Sequence, residues 1–380
     1  MITNKMLDTV PDVYAGQLAK INRQYIEAIA ERIKTLGEYD ILDIKKLDQL
    51  RRYGADYDVM INELAQLTDK TSDEIKQLMV YAARDSYDDM MTIAQMAGKP
   101  LIPYAENIAL QRTVIAMAEM TASTFVNLSN TTMVGYNVLG AGGVLQFHGL
   151  ADTYKTVVDS AIREISMGVG NFPAAMRNTM RSLADSGVRI VDYESGATRR
   201  LDSAVRMNIL DGVRDVYQGV QDEIGREIGT DGVELSAHGG CAPDHLPYQG
   251  RQYTQKEFDK IQDSLERPFG MWNCRHSANR IIMGISRPAH SDKQLEALRE
   301  NSERTFEYDG KKYTGYEATQ VQRKLETSIR QYRDRLSIYD SLGDEDAADA
   351  VRLKINQLRL KYGSFSKTAG LPLKSERYNL

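Results

Sequence analysis

Cysteine is nearly absent from this chain. Two residues, Cys241 and Cys274, in 380 positions cannot form a disulfide framework. Long apolar runs are missing as well. Residues 120–151 carry no charged side chain, yet Asn127, Asn130, Asn137, Gln146, His148 and five glycines break every apolar stretch. None reaches the roughly 18 residues that a spanning helix needs. The region therefore reads as buried or interfacial helix with Gly-rich loops, a membrane-active segment being the lesser reading. The opening MITNKMLDTVPD has no basic stretch followed by an apolar one, so the expected site of synthesis and residence is a reducing cytoplasm. Charge of one sign is also lacking. A net charge of −5 gives no global reason to expect a nucleic-acid binder. No internal repeat and no low-complexity tract appears.

Catalytic signatures are missing too. GYNVLGAGG is not followed by Lys and Ser or Thr, so it is not a phosphate-cradling loop. No HExxH and no Ser-centred elbow occurs. His238 precedes Gly239-Gly240, where a zinc deaminase needs Glu at the second position.

What is present is helical periodicity. In QLAKINRQYIEAIAERIKTL the residues Leu18, Ile21, Tyr25, Ile29, Ile33 and Leu36 recur at steps of three and four, making one apolar stripe. Helices are further expected near 43–53, 57–67 and 72–96, with Thr71-Ser72 as an N-cap. More should run from about Ala105 through the uncharged region, and over 151–167 and 173–186. VRIVDYESGATRRLD, residues 188–202, suits a hairpin and leads into an amphipathic helix marked by Val205, Ile209, Val213, Tyr217 and Val220. From Asp231 to His290 composition shifts to a small α+β module, with strands at 233–236 and 250–254 and a short helix after them. TFEYDGKKYTG, with its Asp309-Gly310 turn, precedes two closing helices that fold back as a pair. The expected fold class is mainly α. Its segments are an N-terminal helical region (1–104), a middle helical region (105–230), the module (231–290), and a hairpin, helical pair and basic tail (291–380).

The chemistry-bearing residues concentrate in the module. Both cysteines and four of five histidines lie between His238 and His290. Cys241, His245, Cys274 and His276 are the right types and number for tetrahedral zinc. Their spacing, C-x3-H and C-x-H, is unlike the usual knuckle. The preferred reading is a buried Cys/His cluster that pins a small fold through hydrogen bonds, with no metal or other cofactor. A metal-dependent hydrolase or nuclease built on residues 238–276 is the alternative, with Asp244 or Glu234 as base.

SAHGGCAPDHLPYQGRQYT (236–254) followed by FGMWNCRHSANRIIMGIS (269–286) resembles the minor capsid protein 2 family of tailed phages infecting Gram-positive bacteria. That family looks related to the Mu F-like head-morphogenesis domain. Its pattern is carried here by His238, Gly240, Pro243, His245, Gln249, Gly250, Asn273, Cys274, Arg275 and His276. The chain departs from it at Cys241-Ala242, where the family has Ala-Arg, at Tyr248 for Trp, and at Arg251 for Lys. The resemblance implies a non-enzymatic virion protein. It would sit inside the head near the portal, bind portal and capsid proteins, and take no small-molecule substrate. The two motif runs should pack together, with Trp272 filling the module core and Pro243 and Pro268 setting turns. A basic tail of Arg352, Lys354, Arg359, Lys361, Lys367, Lys374 and Arg377, against Glu376 alone, supplies candidate contacts to packaged DNA through phosphates.

Overall fold

The computed structural model describes residues 4–37, 55–129, 133–139, 144–150, 152–153, 156–157, 172–191, 197–271 and 274–379. Among these the chain is mainly helical, with small antiparallel sheets and a C-terminal helical pair. Helices α1 (Asn4–Gly37), α2 (Ala55–Met96), α3 (Ile108–Leu128) and α4 (Phe172–Ser186) precede the long α5 (Leu201–Ile228). Strands β1 (Val134–Leu139), β2 (Leu145–Gly149), β3 (Arg189–Val191) and β4 (Thr198–Arg200) form one sheet in the order β2-β1-β3-β4.

The module follows α5. Strand β5 (Gly232–Leu235) lies between β6 (Gln252–Thr254) and β7 (Ala278–Ile281), with α6 (Gln255–Ser264) across the sheet. Helix α7 (Asp292–Glu303) and the hairpin β8 (Phe306–Tyr308) and β9 (Lys311–Tyr313) lead to α8 (Gly315–Leu342) and α9 (Glu345–Ala369). Gly343, at φ +70°, caps α8 and turns the chain back.

α2 is one helix of 42 residues, not two. Thr71 and Ser72 do not cap it; they are buried in its middle. Thr71 continues the stripe Met60, Leu64, Leu67, Ile75 and Met79, and burial of that stripe outweighs the local capping preference. The uncharged region also corrects the expectation of helix. After α3 it forms the β1–β2 hairpin, in register from Gly135 opposite Gly149 to Leu139 opposite Leu145. The expected helix at 43–53 lies outside the described residues, as does most of the one at 151–167. The hairpin expected at 188–202 is β3 and β4. No helix among the described residues is long and apolar enough to cross a membrane.

Buried side chains fall into two clusters. The larger runs through the helices and includes Tyr14, Tyr87, Tyr136, Val216 and Tyr362. The smaller belongs to the module: Val233, Leu235, Phe258 and Phe269, with Tyr248, Tyr253, Cys274 and Ala278 against it. α3 buries Leu110, Val114, Ala118, Ala122 and Phe125 along one face and leaves Ile108, Ile115, Met120 and Val126 exposed.

Candidate functional site

The site is built on the middle strand of the module sheet. β5 ends at Leu235, and residues 236–250 form a loop that returns to β6. Its closure is visible in Gly250, whose N–H donates to the Leu235 carbonyl at 2.9 Å. Gly250 has φ +71°, and a Cβ there would run into the Leu295 side chain. Inside the loop, His245 and Leu246 N–H groups both donate to the Ala242 carbonyl, with Pro243 starting the turn. A second connection, 265–277, carries Pro268 into a turn closed by Met271 N–H on the Pro268 carbonyl. Ser236 and Ser277 then stitch the two together through two hydrogen bonds of 2.9 Å.

The two motif runs therefore face each other. Cys274 Sγ lies 3.5 Å from His245 Nδ1 and 3.3 Å from His276 Nδ1. Cys241 Sγ lies 3.6 Å from His276 Nε2, on the other side of that ring, and donates to the Ala242 carbonyl. His238 packs its ring on His276 with centroids 4.5 Å apart. Trp272 and Asn273 lie outside the described residues. Among those described, Phe269 fills the module core, 4.3 Å from the His245 ring and 5.3 Å from that of His276.

Gln249 is legible in the sequence as part of the motif, but its role is not. Its buried Oε1 accepts from the His238 backbone N–H and faces His276 Nε2, each at 3.1 Å. Because an N–H fixes that atom as an acceptor, His276 must carry its proton on Nε2. His245 is fixed in the same way, its Nε2 donating to the Arg267 carbonyl at 2.7 Å. Both Nδ1 atoms thus turn lone pairs toward one sulfur.

Burial pushes His276 down to about 2, helped by the neighbouring His238 and His245, so the ring is neutral. Burial, then Cys274 and Asp244, drive Cys241 up to about 12, which makes it an inert thiol. For Cys274 burial opposes ionisation, but sharing its proton with His245 Nδ1 and accepting from backbone N–H groups outweigh it, and its pKa is lowered. His245 is the reverse: burial lowers it, while Cys274 and the Arg267 carbonyl together raise it. Of the two carboxylates that a hydrolase reading would use as base, both have partners. Asp244 holds Arg267 at 2.8 Å and approaches His245 from the Nε2 side. Glu234 accepts from Gln252 and from the Ala289 N–H.

The basic residues of α9 and the tail are spread over separate surroundings. Arg352 is matched by Asp340, Asp349 and Glu345; Lys361 lies near Asp309; Arg359 reaches Asn379. Lys354 and Lys367 are exposed, and Lys374 is half-buried. Arg377 bends inward to Asp12. There it joins a cavity of about 280 Å³ lined by Arg206, Arg275, Arg323 and Arg330 together with Asp12, Asp202 and Glu326. Arg323 makes no ion pair among the described residues. Its pKa is lowered by desolvation and then by Arg275, Arg206 and Arg377. Sequence reading misses this cavity because its arginines come from α5, the module, α8 and the tail.

The family model described as phage minor capsid protein 2 matches residues 2–365, nearly the whole chain, including the helical half that the motif runs do not cover. No curated protein and no solved structure matches it. With the module motifs closed on each other and the match running through the helices around them, the chain belongs to the phage minor capsid protein 2 family and is a structural protein of a phage virion.

Proposed function

We propose that this capsid protein acts in head morphogenesis inside the head, at or near the portal, and touches packaged DNA through its phosphates without reading sequence. It works by binding and not by turnover. The observation that carries the DNA contact is the arginine-lined cavity between α1, α5, α8 and the tail, where Arg323 sits among like charges. Five arginines face three carboxylates in that lining, an excess of positive charge that an entering anion would offset. Lys354 and Lys367, exposed on α9, are separate candidate phosphate contacts. The apolar outer residues of α3, Ile108, Ile115, Met120 and Val126, support a face that is covered in the assembled particle.

Two measurements test this. Binding of random-sequence duplex DNA should weaken steeply with salt, and the slope of log K against log salt should lose about 0.9 for each phosphate contact removed. Arg323→Ala and Lys354→Ala with Lys367→Ala should each flatten it; an unchanged slope in both removes the DNA contact. Co-purification with the portal protein from the same genome tests placement. Failure to co-purify at low and at high salt would remove the portal assignment while leaving the DNA result standing.

A further inference from the structure

From the meeting of three side chains we infer that His245 Nδ1, Cys274 Sγ and His276 Nδ1 bind a divalent ion of the zinc class, which clips the 236–250 loop to the 265–277 connection. This inference does not depend on where the protein sits in the particle.

The three donor atoms lie within 4.8 Å of one another. Their sulfur–nitrogen edges are 3.3 and 3.5 Å. A tetrahedral zinc with Zn–S of about 2.3 Å and Zn–N of about 2.0–2.1 Å has sulfur–nitrogen edges of roughly 3.5 Å. Carboxylate-preferring ions such as magnesium are a poor match to one thiolate and two imidazoles.

Outer contacts settle which nitrogens face inward. Gln249 Oε1 and the Arg267 carbonyl take the two Nε2–H groups, the arrangement that orients ligating histidines. Both Nδ1 lone pairs then point at Cys274, which has a single thiol proton. One proton cannot satisfy two acceptors, and a cation between the three atoms satisfies all of them. On binding, the thiol proton leaves to solvent and nothing is oxidised.

Cys241 is not part of the set. It contacts Nε2 of His276, the nitrogen already committed to Gln249, so it lies on the wrong side of the ring. The fourth coordination position falls to water. Among the described residues Asp244 and Glu234 are held by Arg267, Gln252 and the Ala289 N–H, which favours a structural role for the ion.

The full-length protein, purified without a polyhistidine tag, should carry stoichiometric zinc by elemental analysis. The ion should survive in Cys241→Ala and be lost in Cys274→Ala and His276→Ala. Because those two variants can also unfold the module, cobalt(II) added to the metal-stripped wild type gives an independent readout. A thiolate-to-cobalt charge-transfer band with intense tetrahedral d–d bands supports the site. Octahedral, thiolate-free cobalt spectra, zinc retained in folded Cys274→Ala, or zinc lost from Cys241→Ala would each overturn it.

Discussion

Asn22 donates its side-chain amide to Asp334 Oδ2 at 3.2 Å, joining α1 to a helix more than three hundred residues later in the chain. Tyr136 of β1 donates to the same Asn22 at 2.9 Å, and Arg23 lies 3.4 Å from the carboxylate. The contact gathers the helical body around one buried acid. Burial raises Asp334 from the ordinary 3.8 to about 7, against the opposing pull of Arg23, Arg200, Arg330 and Arg333. Between those values the native protein holds a proton that the unfolded chain has released. Stability is therefore full below the ordinary carboxylate range, declines as pH rises toward 7, and levels beyond. Asp334→Asn should flatten that decline, read as the difference in urea midpoint between about pH 5 and pH 8. An equal decline in both proteins would refute the assignment.

Asp202, in the first turn of α5, holds Arg200 at 3.3 Å and Arg330 at 2.9 Å. Burial disfavours its charge, but the two guanidinium groups prevail and its pKa is lowered. Asp202→Ala should cost about 3–5 kcal/mol, because it strands two partly buried cations. Adding Arg330→Met should recover part of that loss in equilibrium unfolding. If the double variant is no more stable than the single one, the stranded charge is not the cause.

Gly135 and Gly149 are partners across β1 and β2, yet they differ sharply. A Cβ on Gly135 would meet the His148 carbonyl, whereas one on Gly149 meets nothing within 4 Å. Gly135→Ala should destabilise by about 2 kcal/mol or more, and Gly149→Ala should be close to neutral. Thermal unfolding of the pair decides it, and equal losses would count against so close an approach of the β2 backbone to Gly135.

Gln249→Leu removes the acceptor shared by the His238 N–H and His276 Nε2. Each buried donor left alone costs about 1–3 kcal/mol. The loss should appear as faster amide exchange in residues 236–250, with α8 and α9 little affected. Uniform acceleration across the chain would show that the module has no stability of its own.

Much of this architecture is legible in residue order. The closing pair, the Asp309-Gly310 turn at φ +56° and +71°, and the 188–202 hairpin follow from strong local signals. β1 and β2 do not, because their glycines and mixed burial blur the alternation that marks a strand. β7 is Ala-Asn-Arg-Ile, which no propensity would choose; pairing with β5 makes it a strand. In the site, the density of rare residue types identifies the right side chains. It cannot say that Cys241 and Cys274 flank opposite nitrogens of His276, since that depends on how a loop closes.

The Gln249 side chain has a consequence for how such chains vary. A relative that replaces His276 with a residue lacking a donor leaves that amide oxygen half-used, and one that replaces Gln249 leaves a ring proton without a home. Neither change is comfortable alone, so positions 249 and 276 should drift together across relatives while Cys241, which among the described residues bonds to its own loop and the edge of that ring, is free to drift on its own.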